Sequence, residues 1–399
     1  MERAVIHLNV ADFAVAVERQ CDSRLRQRPV IIAAPTDNRA AVYDMSDEAY
    51  QNGIRKGMSV GQARRLCREA ILVPPNPRLY QRASRAFFAT ALPFSPLVEA
   101  VDSNGHLFID VTRSRKLFGP PADIARRLRS NARRDLGIEP IWSLASNKLL
   151  AKVASRLVKP LGEYVINDGE EEKTLSPCPL ALLPGIGHRD ILRLQDFNIT
   201  RIGQLATLSS AQLAIHFGSC RGAYLHDLAH GIDFSPVLPA GGEPPSIVEN
   251  WQFTGGSNNR QQVEQALFHL SERAGRRLRR CQKATGRITV TLRYSDQLSI
   301  SRQTNCPVPT AGDATLFSLA RKLLQNAWHR RIRLLELQLA CQRLTAFPPL
   351  QISLFAERRE NNKNETLLPT LDAIRKRFGD DSIKWGRMKS SLKNQKSYF

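Results

Sequence analysis

Acid is what this sequence is short of. Against 58 lysines and arginines it sets 37 aspartates and glutamates, a formal charge of +21 over 399 residues. An imbalance of that size points to a polyanionic partner, nucleic acid first and an anionic membrane surface second. Long apolar runs are missing too, and none approaches the ~20 residues that span a bilayer. No basic-then-apolar leader opens the chain, because Asn9, Asp12 and Glu18 interrupt its first apolar residues. The expected location is the cytoplasm. Cys21, Cys67, Cys178, Cys220, Cys281, Cys306 and Cys341 are odd in number and form no C-x-x-C pair. That argues against a disulfide framework or a zinc ribbon, and for reduced thiols packed as small hydrophobes.

What is present is a chain with 42% hydrophobic residues, enough for several cores. Residues 4 to 10 alternate with period two and lead into a helical pattern, so the first segment reads as strand into helix. Val30 to Ala34 is a short buried strand, and 46 to 67 is helical around the turn at Gly53 to Met58. Leu97 to Val101 and Leu107 to Val111 make two strands joined through Asn104-Gly105, a strong hairpin signal. A helix from Ala122 to Leu136, a strand at 141 to 145 and a helix at 148 to 158 follow. Residues 179 to 230 are helical, and the Pro- and Gly-rich stretch 236 to 245 is a linker. Beyond it strand and helix alternate: a strand near 247 to 253, a helix near 260 to 281, strands at 287 to 294 and 298 to 304, a helix near 313 to 328 and a strand at 331 to 340. That region, 246 to 345, has 16 Lys and Arg against 6 Asp and Glu, so it supplies about half of the net charge.

Three motifs carry a mechanism. Leu183-Pro184-Gly185-Ile186-Gly187-His188-Arg189, followed by Ile199-Thr200-Arg201-Ile202-Gly203, looks like a helix-hairpin-helix, whose glycines let backbone amides reach a DNA phosphate without reading sequence. Gly185, Gly187 and Arg189 are its candidate contacts. In the basic region Arg273, Arg276, Arg277 and Arg280 on the helix, Arg293 and Arg302 on strands, and Arg331 and Arg333 on the last strand fit a groove that tracks a phosphate backbone. Gln351-Ile352-Ser353-Leu354-Phe355 places an apolar pair in a polar tail and resembles the peptide with which bacterial proteins bind the sliding clamp.

Taken together these pieces resemble the Y-family translesion DNA polymerases from end to end. The opening Ile6-His7-Leu8-Asn9-Val10-Ala11-Asp12-Phe13 is similar to the family's first catalytic strand. Ser146 to Ser155 with Lys159-Pro160-Leu161-Gly162, Gly222 to Asp233, Arg293-Tyr294-Ser295-Asp296, and the island Leu371 to Gly379 add to the likeness. The resemblance implies an α+β, right-hand architecture. Its palm would comprise 1–19 and 76–165, its fingers 20–75, its helix-hairpin-helix thumb 166–240 and its βαββαβ-like little finger 241–345. A flexible tail, 346–399, would carry the clamp peptide.

The same resemblance implies two magnesium ions about 4 Å apart, held by three carboxylates. Here Asn9 stands for the first carboxylate and Ala11 for a second strand Asp. The hairpin aligns with Asp102 retained and Ser103 in place of a Glu. The ribose-excluding aromatic expected after Phe13 is Ala14. The family's "Y-E-A-R" clamp on the triphosphate aligns with Asp47-Glu48-Ala49-Tyr50, losing its Tyr and Arg; Lys159 matches a triphosphate-contacting Lys. Asp12, Glu99 and Glu48 are the carboxylates that could substitute. Asp110 matches a structural Asp at the end of the hairpin strand, and the hairpin as a whole looks most like the catalytically degenerate ImuB subfamily.

The expectation is therefore a DNA-binding and clamp-binding adaptor in damage tolerance, without a cofactor. Magnesium would be needed only if polymerase activity survives. The resemblance adds an error-prone DnaE-type polymerase and an ImuA or RecA-like protein as partners. Two further expectations are an active polymerase with an atypical metal site and a regulator that only occupies the clamp.

Overall fold

The structure is a computed structural model that describes residues 3–34, 38, 40–100, 105–240, 246–296, 298–346, 361–379 and 382–383. Two compact units divide it, one over residues 1–242 and one over 243–396.

The first unit begins with β1 (Val5–Asn9) and α1 (Phe13–Cys21), then β2 (Val30–Ile32), β3 (Asp44–Met45), α2 (Asp47–Gln51), α3 (Val60–Leu66) and β4 (Ile71–Val73). It continues through α4 (Pro77–Ala89), β5 (Val98–Ala100), β6 (His106–Asp110), α5 (Arg115–Phe118), α6 (Pro121–Leu136), β7 (Ile141–Ala145), α7 (Lys148–Leu157) and β8 (Glu163–Val165). Five short helices end it: α8 (Glu171–Leu175), α9 (His188–Asp196), α10 (Ile202–Ala206), α11 (Ser210–Phe217) and α12 (Ser219–Ala229).

Its main sheet runs β5-β6-β1-β7-β8, with β1 antiparallel to both neighbours. Every residue of β1 is buried, as befits a central strand covered on both faces. Alternation sends Ile6 and Leu8 into a core with Phe13, Ile124 and Leu128 from α1 and α6, and leaves Val5, His7 and Asn9 on the face that α7 covers. A second sheet, β3-β2-β4, packs with α2 and α3 around Ile31, Val42, Ile54 and Val60. The helical region beyond residue 170 shares a core with α7.

The second unit is a βαββαβ arrangement: β9 (Ser246–Ser257), α13 (Arg260–Arg280), β10 (Lys283–Tyr294), β11 (Ser299–Thr310), α14 (Asp313–Ala327) and β12 (Leu334–Ala346). Its sheet is antiparallel throughout, in the order β11-β10-β12-β9. Ile288, Val290, Leu292 and Tyr294 of β10 face the helices and enter one core with Leu267, Leu270, Leu278 and Leu316. The intervening Arg287, Thr289, Thr291 and Arg293 lie on the opposite, open face.

The α+β expectation holds. One element departs from the sequence reading: in the stretch expected as a flexible tail, residues Asn361–Phe378 form a helix, α15, held on α13 by ion pairs. The clamp-like Gln351 to Phe355 lies outside the described residues, as do Asp102 and Ser103.

Candidate nucleotide site and nucleic-acid interfaces

At the end of β1, Asn9 is 1% exposed, and among the described residues neither its Oδ1 nor its Nδ2 has a hydrogen-bond partner. Directly across the ladder stands His106, because the register that sets Val5 against Asp110 sets Asn9 against His106. The Val10 N–H closes the pair by donating to the Gly105 carbonyl at 3.0 Å. A chain of polar groups runs behind them. The Ser155 hydroxyl donates to the Lys152 carbonyl at 2.9 Å and lies 2.8 Å from His7 Nδ1, so His7 Nδ1 is the donor to Ser155. His7 Nε2 then accepts from His106 Nδ1 at 3.4 Å, with the two rings stacked 5.5 Å apart. Burial, and after it the nearby His106, pushes His7 well below its ordinary value, so it is neutral at pH 7. Where the first carboxylate is expected, the strand presents an amide, with an imidazole across the ladder from it.

The fingers side of the site is acidic and already satisfied. Asp44, 3% exposed, accepts the Ala14 N–H at 2.9 Å and pairs with Lys56 Nζ at 2.7 Å. Ala14 N–H belongs to the first turn of α1, one of the orphan donors that make a helix N-terminus attractive to phosphate. Asp44 therefore holds both a cation and an amide that an anionic ligand would need. Beside it Asp12 caps the start of α1 in the left-handed region at φ 50°. Burial, then the Asp44 charge, raises its carboxyl to about 6. Burial lowers Lys159, with Lys56 adding to the effect.

The other carboxylates that could substitute are committed elsewhere. Glu48 takes a bidentate bond from Arg19 at 2.9 and 3.0 Å. Glu99 takes Lys148 at 3.0 Å and the Leu238 N–H at 3.0 Å. Asp110 accepts from the backbone N–H and hydroxyl of Thr112, a structural role. Among the described residues no group of three or more His, Cys, Asp or Glu could hold a metal ion. With the neutral Asn9 at its centre, the donor set among the described residues does not fit a two-magnesium site.

In the helix-hairpin-helix, Gly185 has φ +88°, and the position its Cβ would take is occupied by the Tyr224 hydroxyl from α12. Only glycine fits that approach. Arg221 of α12 lies over the Tyr224 ring, donates to the Gly185 carbonyl at 2.9 Å and pairs with Asp190. Asp190 accepts the Gly187 N–H at 3.0 Å, so that amide is used within the turn. Arg189 is exposed on the same hairpin.

The basic residues of the second unit do not share one face. Arg287 and Arg293 stand on the open face of the sheet, Arg287 donating to Asn305 at 3.0 Å and Arg293 lying 3.6 Å from Glu336. Arg302 is paired with Val290 and so points to the helix side of its edge strand. Arg273 and Arg277 both pair with Glu249, which β9 directs toward α13. Arg276 lies 3.9 Å from Asp372, and Arg280 is exposed at the end of α13. Arg331 and Arg333 are exposed between α14 and β12. The register fills the open face instead with Ser301, Gln303, Thr289, Thr291, Gln338 and Gln342, a surface of hydroxyls and amides.

Sequence reasoning missed His106, Asp44 and Glu249. For His106 the signal was at hand, since pairing Asp110 with Val5 leads to it by counting along the ladder. Asp44 and Glu249 give no such sign, because their partners are distant in sequence.

Comparison with known proteins matches residues 8–156 to the impB/mucB/samB family, 244–354 to the C-terminal domain of that family, and 181–233 to a DNA polymerase-iota thumb domain. Proteins called DNA polymerase IV align nearly end to end. The one from Dehalococcoides mccartyi is 30% identical over 96% of this chain and 97% of its own. That from Desulfatibacillum aliphaticivorans is 31% identical over 96% of each, and that from Caulobacter vibrioides 31% over 96% of this chain and 94% of its own. A solved Y-family DNA polymerase chimera superposes with a TM-score of 0.71 at 20% identity, covering 86% of this chain and 99% of the other.

Proposed function

Since the chain belongs to the impB/mucB/samB family of Y-family DNA polymerases, we propose that it acts in DNA repair and translesion synthesis as a DNA-binding and clamp-binding member without polymerase activity of its own. The observation that carries the inactive reading is Asn9, buried and unpartnered opposite His106. Phosphoryl transfer by this family depends on charge held around metal ions, and a neutral amide facing an imidazole supplies none. The Asp44–Lys56 pair supports the same reading from the nucleotide side, because Asp44 occupies a cation and a helix amide that a triphosphate would need.

DNA is the partner this reading implies, held by the hairpin at Gly185 to Arg189 and by the sheet of the second unit. Gln351 to Phe355 would bind a bacterial sliding clamp. The ImuB-like hairpin adds an error-prone DnaE-type polymerase and an ImuA or RecA-like protein as partners, with the cytoplasm as the place of action. A second reading, an active polymerase with an atypical metal site, is favoured by the end-to-end likeness to proteins named DNA polymerase IV. Primer extension with magnesium and with manganese decides between them: no incorporation is expected, and robust incorporation by the purified chain ends the adaptor reading.

A further inference from the structure

We propose that α15 is a latch that ties the C-terminal part of the chain back onto the second unit through charge rather than apolar burial. Its most deeply buried described side chain is Arg375, at 3% exposure, which donates to Glu272 of α13 at 2.6 Å. One turn earlier, Asp372 accepts two bonds from Arg279 of α13, at 2.7 and 3.0 Å. Arg279 also donates to Asp313 at the start of α14 at 2.7 Å, so three helices meet at one guanidinium. Among the described residues the apolar core of this unit takes no side chain from α15.

The spacing explains the arrangement. Asp372 and Arg375 are three residues apart and share one face of α15, while Glu272 and Arg279 are seven apart and share one face of α13. Acid and base are therefore crossed: α15 offers acid then base, and α13 offers acid then base in a run that pairs each with its opposite. Gly275 lies between the two α13 partners, where a Cβ would collide with Asp313 Oδ1, so the charged layer also needs glycine at that point. Burial works against ionising Glu272, yet His269 and Arg375 hold its carboxyl below the usual range. An ion pair so enclosed is screened little by salt.

The elements that flank residues 347–360 in sequence, β12 and α15, thus both belong to the second unit. In the function proposed above those residues carry the clamp peptide, and the latch would limit how far it reaches; the latch itself rests only on the helices and is tested without the clamp. A protease site placed between 355 and 360 of the full chain allows one cut, after which gel filtration shows whether the fragment containing α15 stays with the body. The expected result is co-elution for the parent, release for Arg375→Glu, and recovered co-elution for Glu272→Arg combined with Arg375→Glu. A fragment that leaves the cut parent overturns the proposal. So does one that Arg375→Glu still retains, since apolar contact would then hold it. Clamp affinity of the uncut parent, read separately, fails or succeeds on the clamp reading alone.

Discussion

Asn9 and His106 stand opposite each other in the β1–β6 ladder, the first with no hydrogen-bond partner for its amide among the described residues and the second bonded to the buried His7. Leaving both ends of a buried amide unsatisfied costs free energy that an apolar side chain of the same shape does not. Asn9→Leu is expected to raise stability by about 1–2 kcal/mol, read as a higher urea midpoint. A lower midpoint would mean that the amide is bonded in solution. Asn9→Asp, by contrast, should restore no primer extension, because His106 remains opposite.

Asp12 gives the fold a pH dependence of defined sign. Its carboxyl is raised from 3.8 to about 6, so the folded chain holds a proton that the unfolded chain has lost between those values. Stability from this group is therefore full below about pH 4, falls as pH rises, and stays at its lower value above about pH 6. Asp12→Asn should remove that fall and stabilise the chain by about 1–2 kcal/mol at pH 8 relative to pH 4, after discounting for the shared charge of Asp44. Urea titrations of both chains at the two pH values check it, and equal differences at both would exclude the titration as cause.

DNA binding by the second unit should follow the open face of the sheet rather than the number of arginines. Arg287→Ala and Arg293→Ala are each expected to weaken binding of a primer-template about three- to tenfold and to flatten the salt dependence by about one unit of slope. Arg302→Ala, on the helix side, should change affinity less than about twofold. Fluorescence anisotropy across a salt series measures both, and the reverse ranking would assign the DNA to the helical side.

Gly222 ties the thumb helices together. A Cβ there would lie 2.6 Å from the Ala214 backbone nitrogen, so α11 and α12 must separate to admit it. Gly222→Ala is expected to cost about 2–3 kcal/mol. Because α12 supplies Arg221 and Tyr224 to the hairpin, hairpin-dependent DNA affinity should fall with it. Thermal melts together with anisotropy test the coupling; an unchanged melting temperature would contradict the packing argument.

Much of the architecture was legible because it depends on local pattern. Alternation in Ile288 to Tyr294 and the run of small and apolar residues in α13 place the second unit's elements within a few residues of where they are found. The loss at Asn9 was equally plain, since identity at one strand position is a one-letter fact. What stayed hidden was pairing across distance. Counting arginines on α13 could not reveal that Glu249, some 24 residues upstream of Arg273, takes two of them. Likewise, nothing around Asp44 announces that it reaches both Lys56 and the first turn of α1. The face on which Arg302 lies was hidden for a different reason: composition ignores parity, and one step along an edge strand turns a side chain to the other face.

The neutral centre of β1 has a consequence for folding as well as for chemistry. A cluster of carboxylates at the middle of a buried sheet repels itself until a counter-ion arrives, which makes the folded state depend on divalent supply. With the neutral Asn9 where the first of those carboxylates is expected, the central strand itself, Val5–Asn9, carries no acid. The fold is then expected to be as stable in chelator as in magnesium, and equal urea midpoints in the two would show it.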